Sequence, residues 1–132
     1  MKYVDPKSLK AVWPEVERGL LQILRRCPQP WSPEDVKSHL KQLRAYLYAD
    51  EDGFFIVEKN QEPHRGTWYL NVWCMYFRPG KGREKRADLI ALLDRLKDEA
   101  LCDYITFTSP RGAWSKALDG YFTLHSCNWR RE

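Results

Sequence analysis

The stretch from Thr67 to Ala100 combines the residue types that bind anions. An apolar strand pattern leads into a turn with two glycines, and an amphipathic helix pattern follows. Five basic residues fall within nine positions, opposed only by Glu84: Arg78, Lys81, Arg83, Lys85 and Arg86. A helix N-terminus attracts negative charge through its N–H groups and its dipole, and nearby cations strengthen that attraction. The pattern predicts an anion site, with a solvated loop and first helical turn as the alternative interpretation.

Two helix patterns precede this segment. Apolar residues recur at helical spacing from 9 to 26, and Pro14 places the start of the regular helix near Trp13. Ser32-Pro33-Glu34-Asp35 combines an N-cap residue, a proline at the first helical position and two acidic residues, which predicts a second helix ending near residue 43 or 44.

Strand patterns then alternate with helices. Residues 45–49 and 54–58 flank an acidic turn and predict a β-hairpin, and 67–77 predict a central strand that is apolar on both faces. After the basic turn come a third helix, a strand at 103–108, a short helix at 113–118 and a final strand at 121–129. With a possible short strand at 2–6, the predicted order is (β)ααβββαβαβ.

This order predicts an α+β fold with three layers and one domain spanning residues 1–132. The helix between the strands at 67–77 and 103–108 implies a parallel pair joined by a right-handed crossover. The sheet is therefore expected to be mixed, mostly antiparallel, and covered by helices on both faces.

Composition narrows the classes of function. The net charge is +4, and the basic residues concentrate at one turn, so general nucleic-acid binding is disfavoured. The four cysteines are far apart and show no zinc-binding spacing, and no apolar run approaches the roughly 20 residues that span a bilayer. Cys74 and Cys102 lie in apolar strand patterns, where cysteine behaves as a small hydrophobic residue. We expect a protein without a metal site or membrane segment in a reducing cytoplasm.

The order of elements resembles the GNAT (Gcn5-related N-acetyltransferase) superfamily over nearly the whole chain. In that family the strand–turn–helix unit carries an Arg/Gln-x-x-Gly-x-Gly/Ala pattern, whose N–H groups hold the pyrophosphate of acetyl-CoA. Residues 77–82 read Phe-Arg-Pro-Gly-Lys-Gly, so Gly80 and Gly82 occupy the glycine positions and Phe77 replaces Arg or Gln. A second register places Glu84 and Arg86 in the glycine positions.

The resemblance implies an N-acyltransferase in which a substrate amine attacks the thioester of acetyl-CoA. Gly80 to Arg83 and Arg86 would hold the pyrophosphate, while Arg78 and Lys81 would engage the phosphate on the ribose. A pantetheine arm would enter between the strands at 67–77 and 103–108. The implied cofactor-binding set is Trp73, Arg78, Gly80, Lys81, Gly82, Arg83 and Arg86.

The catalytic residues follow the family pattern less closely. Many members have a tyrosine in the fourth helix that protonates the departing thiolate, and its position falls here at Lys116 or Ala117. The remaining catalytic candidates are two tyrosines as the acid and two glutamates as the general base. They are Tyr104, Tyr121, Glu58 and Glu62, and each also has a structural interpretation as a core, surface or solvated side chain.

The degenerate turn and the tryptophan-rich chain are also similar to GNAT-like proteins encoded among the structural genes of tailed bacteriophages. The alternative function is therefore a non-catalytic virion or assembly protein, located in the host cytoplasm or the virion. Such a protein would dock a partner protein through the basic turn and exposed tryptophans. The candidates for exposure are Trp13, Trp31, Trp114 and Trp129.

Overall fold

The computed structural model describes residues 1–108, 123–125 and 128–131. Its elements are β1 (Lys2–Val4), α1 (Leu9–Arg26), α2 (Pro33–Lys41), β2 (Tyr46–Asp50), β3 (Gly53–Gln61), β4 (Trp68–Phe77), α3 (Lys81–Glu99), β5 (Tyr104–Thr108), β6 (Thr123–His125) and β7 (Asn128–Arg131). Through β5, this order matches the sequence prediction. The predicted helix at 113–118 lies outside the described residues. The single final strand is wrong, because the chain forms two short strands there.

One sheet contains all seven described strands in the order β1-β2-β3-β4-β5-β7-β6. β4 and β5 are parallel, joined through α3, and every other neighbouring pair is antiparallel. The α+β class, the mixed sheet and its parallel pair are confirmed. β6 and β7 pair antiparallel with each other, and β6 lies at the edge of the sheet.

The sheet separates two hydrophobic cores. Phe55 and Val57 of β3 face α3, whose Leu93 is buried beside them. Phe54 and Ile56 alternate to the other face, where they pack with α1 and α2. β4 contributes buried residues to both cores, as predicted for a central strand. None of the described helices is both long and apolar enough to cross a membrane.

The first residues of α1 and α2 test the two helix starts that the sequence predicted. α2 begins as predicted, with Ser32 as its N-cap and Pro33 as its first residue, and Ser32 and Asp35 also form a reciprocal capping box. α1 begins at Leu9, so the predicted start near Trp13 is wrong and Pro14 lies inside the helix. Because Pro14 is only the sixth helical residue, its missing N–H removes a single hydrogen bond near the N-terminus, and the burial of Leu9 outweighs that loss.

Two of the tryptophans expected to be exposed are not. Trp13 is 7% exposed in the core below α1, where its Nε1 donates to Glu17 Oε2 at 3.2 Å. Trp31 is partly buried against the same core. Trp114 and the side chain of Trp129 lie outside the description, whereas Trp68, at 41% exposed, is an exposed tryptophan that the sequence reasoning missed.

α1 approaches the sheet closely at Gly19. A Cβ built on Gly19 would lie 2.4 Å from Phe54 Cε1 and 3.0 Å from Tyr76 Cδ1. Phe54 is itself buried, so its ring has little room to move. The absence of a side chain at Gly19 therefore sets the distance between α1 and the strands β3 and β4.

We expect Gly19→Ala to lower the free energy of unfolding by about 1–3 kcal/mol, because the added methyl overpacks the contact with Phe54. Helix propensity alone favours alanine by about 1 kcal/mol, so the sign of the change reports the close contact. Urea denaturation measures it. Lys10→Ala, on the exposed side of α1, is the control and is expected to change stability by less than about 0.5 kcal/mol. A more stable Gly19→Ala protein would contradict the close approach.

Candidate functional site

β4 contains a bulge at Trp73. The antiparallel register pairs Ile56 with Cys74 and then Val57 with Val72, leaving Trp73 as an extra residue on β4. Trp73 and Cys74 consequently both pack on the face covered by α1 and α2. The Trp73 ring meets Trp31 and His39 edge-on, at centroid distances of 6.0 Å and 5.2 Å.

The parallel pairing of β4 and β5 stops just before this bulge. Four residue pairs connect the strands, from Tyr69–Tyr104 to Val72–Phe107. From Trp73 to Phe77, β4 pairs only with β3 among the described residues. One edge of β4 therefore has no described strand partner there. Trp73 and Phe107 pack on opposite faces of the sheet, so each ring is engaged by a core.

β4 runs into α3 through a turn of three residues, Arg78 to Gly80. Gly80 is the N-cap of α3 and has a φ of 81°, a left-handed conformation that favours glycine. The Lys81 N–H donates to the Arg78 carbonyl at 3.0 Å, while the N–H groups of Gly82 and Arg83 lie in the first turn, where no helical carbonyl is available.

This geometry favours the first of the two glycine registers. Gly80 and Gly82 stand at the start of the helix, where backbone N–H groups point outward. Glu84 and Arg86 are the fourth and sixth residues of α3, so the second register would place the pattern inside the helix rather than at the turn.

The five cations of this segment do not act together. Lys85 Nζ lies 2.5 Å from Asp50 Oδ2 and 2.8 Å from Asp52 Oδ2, so it ties α3 to the β2–β3 turn. These hydrogen bonds raise the pKa of Lys85. Burial opposes ionisation of Asp50, but the hydrogen bonds from Lys85 and from the Asp52 N–H, together with the charges of Lys85 and the N-terminus, outweigh it and lower the pKa of Asp50. The expectation of five available cations is therefore wrong for Lys85.

The remaining cations differ in their surroundings. Arg78 and Arg83 are exposed, and Lys81 Nζ lies 3.4 Å from Glu84 Oε2. Arg86 is half-buried. Arg78 also borders a cavity of about 230 Å³ between α1 and the β2–β3 turn, with Tyr76 in its wall. Arg78, Lys81 and Arg83 thus concentrate positive charge around Gly80 and Gly82.

A polar row crosses three strands on the α1–α2 face of the sheet. The Asn71 Nδ2 group donates to Glu58 Oε1 at 3.0 Å, and the Thr106 hydroxyl donates to Asn71 Oδ1 at 2.7 Å. Backbone register pairs Glu58 with Asn71 and Asn71 with Thr106. This row lies one residue pair before the point where β4 and β5 separate.

A second polar group lies on the same face, farther from the opening. The Tyr104 hydroxyl donates to Glu62 Oε1, and the Tyr104 ring stacks on Tyr69 with centroids 5.2 Å apart. Three of the four catalytic candidates thus share one face of the sheet, in two groups. Tyr121 lies outside the described residues.

Sequence reasoning missed Asn71 and Thr106. The sequence does contain a signal for Asn71, because a polar residue stands out in the otherwise apolar strand WYLNVWCMYF. Thr106 carried no such signal, because threonine is common in strands. Its contact with Asn71 depends on the register of β5 against β4.

Cysteine and metal chemistry have little support among the described residues. Burial raises the pKa of Cys74 and of Cys102, which keeps both as thiols. No group of three or more His, Cys, Asp or Glu side chains in the described ranges is arranged to hold a metal ion.

No family model matches this sequence, and no curated protein is significantly similar to it. The structure of a ribosomal-protein-alanine N-acetyltransferase from Brucella melitensis biovar Abortus 2308 matches with a TM-score of 0.66 at 18% identity, covering 94% of this chain and 91% of that chain. The chain has the GNAT fold.

Two further structures agree with this assignment. A predicted acetyltransferase from Clostridium acetobutylicum, solved with acetyl-CoA, matches with a TM-score of 0.60 at 12% identity over 94% of each chain. A GNAT-family acetyltransferase from Listeria monocytogenes 4b F2365 matches with a TM-score of 0.58 at 11% identity, over 92% of this chain and 90% of that one. At these identities the likeness concerns the GNAT fold.

The Lys85 contacts predict a specific pH dependence of stability. The lowered pKa of Asp50 stabilises the folded protein above the ordinary carboxyl range near pH 4, and this contribution is lost as the pH falls through the folded-state pKa. The raised pKa of Lys85 acts oppositely: its contribution is complete below about pH 10.4 and is lost at higher pH.

We expect Lys85→Met to be less stable at pH 7 and to lose less stability between pH 4 and pH 2 than the original protein, because Asp50 loses its cationic partner. Urea denaturation at a series of pH values measures both effects. Lys10→Met, an exposed change outside this cluster, is expected to keep the original acid dependence. Parallel acid curves for the original and the Lys85→Met proteins would contradict the interpretation.

Proposed function

We propose that the chain is a single-domain, acyl-CoA-dependent N-acyltransferase of the GNAT superfamily that uses acetyl-CoA. The observation that carries the proposal is the path of β4, which parts from β5 after Val72 and then runs directly into the glycine turn at the start of α3. The acetyltransferases that share the fold support the same assignment.

The described residues fit an acyl-CoA. The N–H groups of Gly82 and Arg83 suit a pyrophosphate, and Arg78, Lys81 and Arg83 supply the neutralising charge. In this proposal Trp73 contributes its backbone at the bulge, because its ring is engaged by Trp31 and His39. When bound, acetyl-CoA supplies an activated thioester carbonyl.

Glu58 is the better placed of the two proposed bases. It pairs with Asn71, next to the last residue of β4 that contacts β5. In this role its carboxylate accepts the proton that the amine loses on attack. Glu62 lies beyond the end of β3 and accepts a hydrogen bond from Tyr104. Tyr104 pairs with Tyr69, three residue pairs before the separation, so we assign Glu62 and Tyr104 a smaller share in proton transfer.

The second candidate is the non-catalytic GNAT-fold protein, of phage origin, that docks a partner instead of turning over CoA. Phe77 at the Arg/Gln position favours it, because a partly buried aromatic ring supplies no hydrogen bond to a phosphate. The commitment of Lys85 to two aspartates also weakens the charge at the turn. Affinity for CoA distinguishes the two candidates.

We expect isothermal titration to detect acetyl-CoA binding at micromolar to high-micromolar concentration. Arg83→Glu is expected to raise the dissociation constant about tenfold or more, because it replaces an attractive charge at the pyrophosphate with a repulsive one. Arg95→Glu is the matched control, since Arg95 is an exposed arginine near the other end of α3. No heat from the original protein at high micromolar acetyl-CoA would overturn the acyltransferase proposal and leave the docking protein.

We expect Glu58→Gln to lower kcat about 10²- to 10⁴-fold, because the amide cannot accept the amine proton. Acetyl-CoA binding should stay within about twofold of the original value. Turnover is measured as CoA release with acetyl-CoA and a panel of primary amines: spermidine, lysine and a peptide that begins with alanine. Glu62→Gln is the paired variant, and a greater loss of kcat in that variant would transfer the role of base to Glu62.

A further inference from the structure

Asn71 is a buried polar side chain in the middle of an apolar strand. Only 9% of the residue is exposed, and it lies between Leu70 and Val72, which face the opposite core. A buried amide is costly unless its donors and acceptors are satisfied. The hydrogen bonds to Glu58 and from Thr106 use both ends of the amide.

The chemistry of the three groups fixes the direction of these bonds. An ionised Glu58 can only accept, so Asn71 must present its NH2 group to that carboxylate. The Asn71 oxygen then faces Thr106, whose hydroxyl donates to it. A flipped amide would set its oxygen against the Glu58 carboxylate, and two acceptors repel. The Glu58 carboxylate therefore selects the orientation, and Thr106 supports it by donating to the Asn71 oxygen.

The hydrogen bond from Asn71 occupies one oxygen of Glu58, Oε1, and within the described residues the other oxygen, Oε2, has no donor. Asn71 belongs to the last but one residue pair between β4 and β5, so Glu58 is fixed beside the opening. The two flanking strands hold the row rigidly, because each member sits on a paired backbone.

We propose that Asn71, held by Thr106, is a positioning residue that orients Glu58 so that Oε2 meets the incoming amine. The inference rests on the proposed acyltransferase function and on Glu58 as its base. A base must lie within hydrogen-bond reach of the proton that it removes, and small displacements reduce rates sharply. In this proposal Thr106 does not contact the reacting atoms, and its effect reaches them through Asn71 and then Glu58.

The test compares two changes at Thr106. Thr106→Val keeps the shape but removes the hydroxyl, and we expect kcat to fall about tenfold while the KM for acetyl-CoA stays within about twofold. Thr106→Ser restores the hydroxyl and is expected to recover most of kcat. In a Glu58→Gln background, Thr106→Val should produce no further loss, because the residue that it positions no longer acts as a base.

Each outcome decides between the inference and the function on which it rests. Equal kcat values for the Thr106→Val and original proteins, or losses that multiply in the Glu58→Gln background, would overturn the positioning role alone. A Thr106→Ser protein as impaired as Thr106→Val would do the same, since it would point to the packing of the methyl group. Acetyl-CoA binding without turnover in the original protein would overturn the inference together with its catalytic basis, and no binding would overturn the proposed function itself.

The side-chain amide of Asn71 gives a readout independent of turnover. We expect its two NMR proton resonances to be widely separated in the original protein, because one proton binds a carboxylate. Glu58→Gln should reduce that separation, and Thr106→Val should shift both resonances, because the Asn71 oxygen loses the hydrogen bond from the hydroxyl. Unchanged amide resonances in both variants would show that the hydrogen-bonded row does not exist in solution, and so overturn the inference.

Discussion

The arrangement of the candidate site depends on where the parallel ladder between β4 and β5 ends. The bulge inserts Trp73 between the pairs Ile56–Cys74 and Val57–Val72, and a bulge bends a strand and increases its twist. The last pair with β5 is Val72–Phe107, immediately before that residue. Trp73 packs on the face covered by α1 and α2, and at this residue one edge of β4 loses its described partner. The Glu58–Asn71–Thr106 row lies just before this separation.

The basic residues near the N-terminus of α3 have two different roles, one in the fold and one at the surface. Lys85 is held by two aspartates of the β2–β3 turn, so it contributes to the fold by linking α3 to that turn. Arg78 and Arg83 stay exposed around the glycine turn. Tertiary contacts thus give neighbouring basic residues different roles. Lys85 is committed to the fold, and Arg78 and Arg83 can contact a ligand.

Much of the fold could be predicted from periodicity and capping. The hairpin of β2 and β3, the N-cap at Ser32, the central strand and the parallel crossover through α3 all followed from local patterns. The start of α1 did not, because burial of Leu9 and Trp13 outweighed the local effect of Pro14. At the site, the sequence indicated the glycine turn and Glu58, but neither the partners of Glu58 nor the commitment of Lys85.

The sequence by itself determined the order of helices and strands through β5 and where a glycine turn precedes α3. These properties depend on residues within a few positions of one another, through backbone conformation, capping and the alternation of apolar side chains. The tertiary structure alone decided that Asn71 joins Glu58 to Thr106, that Trp73 forms a bulge, and that Lys85 binds Asp50 and Asp52. Those contacts join residues far apart in the chain, and the contacts between strands depend on strand register. The sequence of one segment does not determine register, because register is set by how both faces of the sheet pack against the helices.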